Sequence, residues 1–182
     1  MKTRNIHNHL IFGALLLLVI SSCNKTNSPV VQVEFEKARN EFYKSYDNAP
    51  NEVKKSAIFI ESRMHTCEFE KKHGRNFTDW CGVIHEITTD QGGDYIESFI
   101  ITSKSQGRRI FYEEYAIKKG TSLYNEIAEF KEGDNIYFTF KFNEEVFSTN
   151  EKECFDEHSL TESGSLEAPE FRVSFSNIKK LK

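Results

Sequence analysis

Several absences narrow the reading of this 182-residue chain before any motif is considered. Its longest apolar run, Leu10 to Ile20 (LIFGALLLLVI), is eleven residues, whereas a helix crossing a bilayer needs roughly 17–25. That argues against a permanent transmembrane helix. The cysteines, at 23, 67, 81 and 154, are too scattered to form a zinc-site spacing. There is no G-x-S-x-G elbow and no cysteine–histidine signature, so nothing announces nucleophilic catalysis. Positive charge is not in excess either: Lys and Arg total 24 against 28 acids. An acidic surface does not gather phosphates, so nucleic acid is not an expected partner.

The amino-terminal end has the parts of an export signal. Lys2 and Arg4 precede the apolar run, and Ser21-Ser22 follow it before Cys23. A basic start, a short apolar stretch and small residues at a cut site are its three components. Ile20-Ser21-Ser22-Cys23 resembles the lipobox of bacterial lipoproteins. The resemblance implies cleavage before Cys23 and acylation of its sulfur and new amino group, so that diacylglycerol and palmitate-type chains anchor it. Two or three chains at about 0.8 kcal/mol per buried CH₂ hold a protein stably on a membrane. Residues 1–22 are therefore read as the signal peptide and 23–32 as a polar, lipidated tether. Asn24 is not the aspartate that resembles an inner-membrane retention signal. The expected location is thus the cell envelope, on the outer membrane facing the periplasm. Removing residues 1–22, which hold two basic residues and no acid, leaves 160 residues with 22 basic against 28 acidic, a net of −6.

The full chain is rich in aromatics, with sixteen Phe and seven Tyr, ample for a β-rich core. In the segment 33–47, Phe35, Ala38, Phe42 and Tyr46 recur at steps of three and four; at 51–71, Val53, Ala57, Ile60, Met64 and Cys67 do so. These patterns predict two amphipathic helices broken at Asn48-Ala49-Pro50, a helical hairpin over 33–74, each helix packing through its stripe. Strands are predicted at about 78–89, 95–103 and 108–117, with turns at 91–94 and 105–107. A helix follows at 122–130, with Ser122 as N-cap and Gly133 as stop. In the strand 135–144, Ile136, Phe138, Phe140 and Phe142 share one face; a polar loop spans 148–169, and a last strand carries Phe171, Val173 and Phe175. Three strands, a helix and two strands is the order of the five-stranded OB-fold barrel, here over 75–182. The fold class expected is mainly β: a β-β-β-α-β-β barrel preceded by two amphipathic helices. Strand-like segments are too few for an eight-stranded lipocalin-type barrel.

Asn40-Glu41 with Lys44-Ser45, Trp80-Cys81-Gly82-Val83 and Gly120-Thr121-Ser122-Leu123-Tyr124 stand in this order along the chain. Gly133 with Phe138, Ser159-Leu160-Thr161-Glu162, Pro169-Glu170-Phe171 and Phe175-Ser176 follow. Together they resemble the tRNA-anticodon-like OB-fold domains of bacterial envelope and hypothetical proteins, from about residue 33 to the end. The resemblance implies the barrel and brings no catalytic residues.

OB barrels usually bind across strands two and three. That predicts a ligand face among Tyr95, Phe99, Arg108, Arg109, Tyr112 and Tyr115, with Phe111 nearby and about half of these rings pointing inward. Rings of this kind stack on sugars, peptides or bases. His85 and the run Cys154-Phe155-Asp156-Glu157-His158 contain metal-competent donors, the basis of an alternative reading as an envelope hydrolase. Neighbours on one loop seldom converge, so no metal, cofactor or catalytic residue is assigned. Among Cys67, Cys81 and Cys154 one disulfide is expected, in any of three pairings. The expected activity is non-enzymatic binding of an envelope protein, peptide or glycan, alongside membrane attachment through Cys23. A third reading is a structural lipoprotein assembling through its helices. Replacing Cys23 with Ser should abolish radiolabelled-palmitate incorporation and leave an uncleaved precursor; a processed, membrane-bound Cys23→Ser protein would refute the anchor.

Overall fold

The computed structural model describes residues 28–105, 108–146 and 152–181. The predicted signal peptide, Cys23, the predicted tether as far as Asn27 and part of the predicted turn at 105–107 lie outside them. Two helices, α1 (Val30–Asp47) and α2 (Glu52–His73), precede β1 (Asn76–Thr89), β2 (Tyr95–Ser105), β3 (Arg108–Lys118) and α3 (Ser122–Ile127). Then come β4 (Asn135–Phe142), β5 (Glu145–Val146), β6 (Lys152–Glu153), β7 (Asp156–Glu157), α4 (Glu162–Glu167) and β8 (Glu170–Lys180). The long strands run β3-β2-β1-β4-β8, and β8 returns to pair with β3 in parallel. This is a closed, five-stranded mixed barrel of the OB type, with β7 added at the edge of β8. No helix among the described residues is long and apolar enough to cross a membrane.

The barrel closes because its strands are one-sided. Ile136, Phe138, Phe140 and Phe142 on β4 and Phe171, Val173 and Phe175 on β8 are all buried. Removing such rings from water is the main driving term of the fold. The strand β1 serves both β2 and β4 by bending. Its register with β4 slips between Phe77 and Trp80, where Asp79 has φ 53°, the geometry of a bulge. Direct pairing of β8 with β3 covers only Glu170 to Arg172. Beyond it, two carboxylates stand in for the missing neighbour: Glu114 accepts from Phe175 N–H and Glu126 from Ile178 N–H.

Both mouths are plugged. At one, α3 inserts Ile127, fully buried. At the other, α1 inserts Phe35, whose ring centroid lies 5.1 Å from Phe69, 5.7 Å from Trp80 and 5.9 Å from Phe171. The helical hairpin and the barrel therefore share one core, which includes Phe35 and Phe69. Gln32 reinforces the joint. Its amide accepts from Cys81 N–H at 2.8 Å and donates to Cys81 C=O at 2.8 Å, extending the sheet where β1 has no β2 residue beside it.

The helices differ from expectation in which faces they bury. On α1, Phe35 is buried with Gln32, Glu36, Arg39 and Asn40, while Phe42 and Tyr46 are only half-buried. On α2, Ile58, Ser62, Thr66, Phe69 and Glu70 face the protein, and the Val53–Ala57–Ile60–Met64 stripe faces out. Helical period reveals that a stripe exists, not which side the barrel occupies. Thr121, not Ser122, caps α3, accepting from Tyr124 N–H. The predicted loop at 148–169 contains β6, β7 and α4 among its described residues; these pieces are too short to show a period.

Gly82 is the most closely hemmed of the described glycines. A Cβ there would stand 2.6 Å from Ile101 Cγ2, 2.9 Å from Phe138 and 3.1 Å from Thr102 O. Gly82→Ala should cost about 1–3 kcal/mol, as overpacking does, lowering the urea midpoint. An unchanged midpoint would show that β1 and β2 can part locally.

Candidate binding surface

The outer face of the barrel follows from the phase of β3. Ile110 and Tyr112 point inward and are buried, so Arg109, Phe111, Glu113 and Tyr115 point outward. Ala116 then adopts φ 55°, and Ile117 turns back into the core although Tyr115 two residues earlier is exposed. The register places Thr102 beside Phe111, Ile100 beside Glu113 and Ser98 beside Tyr115. On the other side of β3, Glu113 neighbours Arg172, which in turn neighbours Asp156.

The six predicted face residues thus divide. Phe99 and Tyr112 are fully buried core, correcting their place in the ligand face. Burial also pushes the Tyr112 phenol well above its ordinary range, so it is a neutral structural group. Arg108 stacks over the Tyr43 ring of α1 and helps seat the hairpin. Arg109, Tyr95 and Tyr115 are exposed, with Tyr95 at the start of β2, where Asp90 holds its N–H.

Around Tyr115 the structure gathers residues that the sequence did not single out. The Arg172 guanidinium lies 5.6 Å from the Tyr115 ring centre and is paired with Asp156 at 3.4 Å. Glu113, buried, accepts from Ser98 Oγ at 3.3 Å. Burial, then the adjacent Glu113 carboxylate, raises the Tyr115 phenol's pKa, so it stays a hydrogen-bond donor. One row along, exposed His85 meets Phe111 edge-on, with centroids 5.4 Å apart. Two outward rings on one strand, flanked by an imidazole and a guanidinium, form an aromatic strip with fixed polar edges. Arg172 and Glu113 were not legible because their roles depend on β8 returning beside β3.

The 154–158 run serves the fold. Cys154 is joined to Cys67, with Cα atoms 5.5 Å apart, so its sulfur is not available as a thiolate; the open choice among three pairings is thereby resolved. Phe155 packs on Phe171 under the Arg63 guanidinium, and Glu157 pairs with Arg63 at 3.3 Å. His158 points to solvent, and its backbone N–H bonds Glu170 O. No group of three or more His, Cys, Asp or Glu among the described residues could hold a metal ion.

Behind these residues lies a buried polar joint. Arg39 donates to Ser165 O and to Thr66 Oγ1 and lies over the Phe171 ring. Burial lowers its pKa, opposed by nearby Glu157. Grooves elsewhere among the described residues include one of about 860 Å³ along α2, lined by Phe59, Ile60, Met64 and the disulfide, and one of about 1000 Å³ between Phe130, Tyr137 and the end of β8.

The chain matches no protein-family model, no curated protein and no solved structure.

The disulfide spans 87 residues, and joining distant positions restricts the unfolded chain. Reduction, or paired Cys67→Ser and Cys154→Ser substitution, should lower stability by about 2–4 kcal/mol in chemical denaturation. An unchanged midpoint would show that the α2 contacts alone hold the connector.

Proposed function

We propose that this chain is a lipid-anchored protein of the bacterial cell envelope whose OB-fold-like barrel is a non-enzymatic binding module. The partner is an extended segment of an envelope protein, a peptide or a glycan, held across the outer face of β1, β2, β3 and β8. The observation that carries this reading is the outward strip of half-buried Phe111 and exposed Tyr115, with His85 and Arg172 at its edges. Aromatic faces supply sequence-tolerant stacking, and a fixed guanidinium supplies an oriented donor. The strip sits where OB barrels ordinarily take ligands.

Envelope location rests on the residues around the lipobox at Cys23. The Cys67–Cys154 bridge supports it, because such bonds persist in oxidising compartments and are rare in the cytosol. The acidic balance disfavours nucleic acid as the partner.

Affinity capture from envelope extract, using wild type and Phe111→Ala/Tyr115→Ala, tests the module. Wild type should retain a protein, peptide or glycan that the double variant loses by about tenfold or more, since each stacking ring is worth ~1 kcal/mol or more. Equal retention by both proteins, with both folded by circular dichroism, would refute the face.

A further inference from the structure

We infer that α2 is a self-association surface on which two copies of this chain pair as an antiparallel helical seam. The inference is independent of the anchor and of the barrel face. Its first support is the outward stripe. Val53 is 82% exposed, Ile60 56% and Met64 60%, and all lie opposite the buried Ile58–Ser62–Thr66–Phe69 side. Their spacing with Ala57, Cys67 and Lys71 alternates four and three. That 3.5-residue period makes a narrow seam suited to another helix rather than to a sheet. From Val53 to Lys71 the seam is about 27 Å long at 1.5 Å per residue.

The flanking charges select the occupant. On one side of the seam stand Ser56, Arg63 and Glu70, each already engaged within the chain. Ser56 bonds Glu162, Arg63 pairs with Glu157, and Glu70 pairs with Arg75 at 2.7 Å. The other flank carries Lys54, Glu61 and Glu68, all exposed. Lys54 and Glu68 enter no ion pair among the described residues. Fourteen positions apart on one helix, they cannot meet each other. In a parallel pair this flank would face the committed side of the other copy. In an antiparallel pair it faces itself, and Lys54 of each copy comes beside Glu68 of the other.

The same register also pairs the central positions of the seam. Ile60 of one copy faces Met64 of the other, and Ala57 faces Cys67. Lys71 lays its methylene stem along Val53. Glu61 meets its own counterpart near the twofold axis, a repulsion that limits affinity. The chain therefore supplies both halves of a complementary surface, as a closed twofold interface requires.

Two measurements on the full chain, in whichever cell fraction holds it, decide the matter. Sedimentation of purified protein should show a monomer–dimer equilibrium, weakened roughly tenfold by Lys54→Glu or by Glu68→Lys. The double exchange should restore it, because the pair is then reversed across the interface. In cells, Glu61→Cys treated with a short bis-maleimide should give a species of twice the chain mass. Val53→Cys, which faces Lys71, should not, and wild type controls for Cys81. A chain monomeric at every concentration overturns the proposal, as does a double exchange no better than the single ones. So does a Glu61→Cys adduct containing a different polypeptide or lipid, because the occupant is then another molecule.

Discussion

Phe35 is the residue on which the union of helices and barrel depends. An OB-type barrel leaves a mouth at each end, and α3 closes only one of them. At the other, Trp80, Phe142 and Phe171 would present their edges to water if the α1 ring were absent. Burying that ring commits α1 to the barrel, and the rest follows from the commitment. Gln32 is brought to the open edge of β1, Arg39 is carried under Phe171, and α2 is laid alongside through Phe69. Burying an arginine is costly unless its donors and charge are answered. Here Ser165 O, Thr66 and the field of Glu157 answer much of it. The hairpin is consequently part of the fold's interior rather than a spacer beneath it.

The same construction explains where the molecule exposes chemistry. Inward positions on β3 are consumed by the core, so outward ones are left to interact. The parallel return of β8 places Arg172 and Asp156 beside them. Two of the faces left among the described residues are the aromatic strip on the barrel wall and the outer stripe of α2, and they lie on different elements. The strip and the α2 stripe thus offer different surfaces of one fold.

Strands were legible because alternation reports directly on a one-sided sheet. The Ile136 to Phe142 run could be placed from sequence alone, and so could the order that closes the barrel. Interior roles of polar residues were not legible. Gln32, Glu36 and Arg39 look like a solvent face until the barrel mouth is known. Periodicity found the α2 stripe and not its direction, since a stripe prepared for a partner and one prepared for the core have the same spacing. On β3 both phases carry aromatics, and only the neighbours across the sheet decide that Tyr112 is core and Tyr115 surface. The choice of Cys67 and Cys154 among three cysteines likewise required the third dimension.

The bridge between those two cysteines has a topological consequence. Together with the backbone it closes a covalent ring that contains β1, β2, β3, α3 and β4. A protease that cuts once anywhere inside the ring opens it into a line but releases nothing. Both ends stay joined through sulfur, and the carboxy-terminal strand that completes the barrel stays attached to the amino-terminal helices. The domain is in that sense nick-tolerant: separating its halves takes a cut and a reductant together.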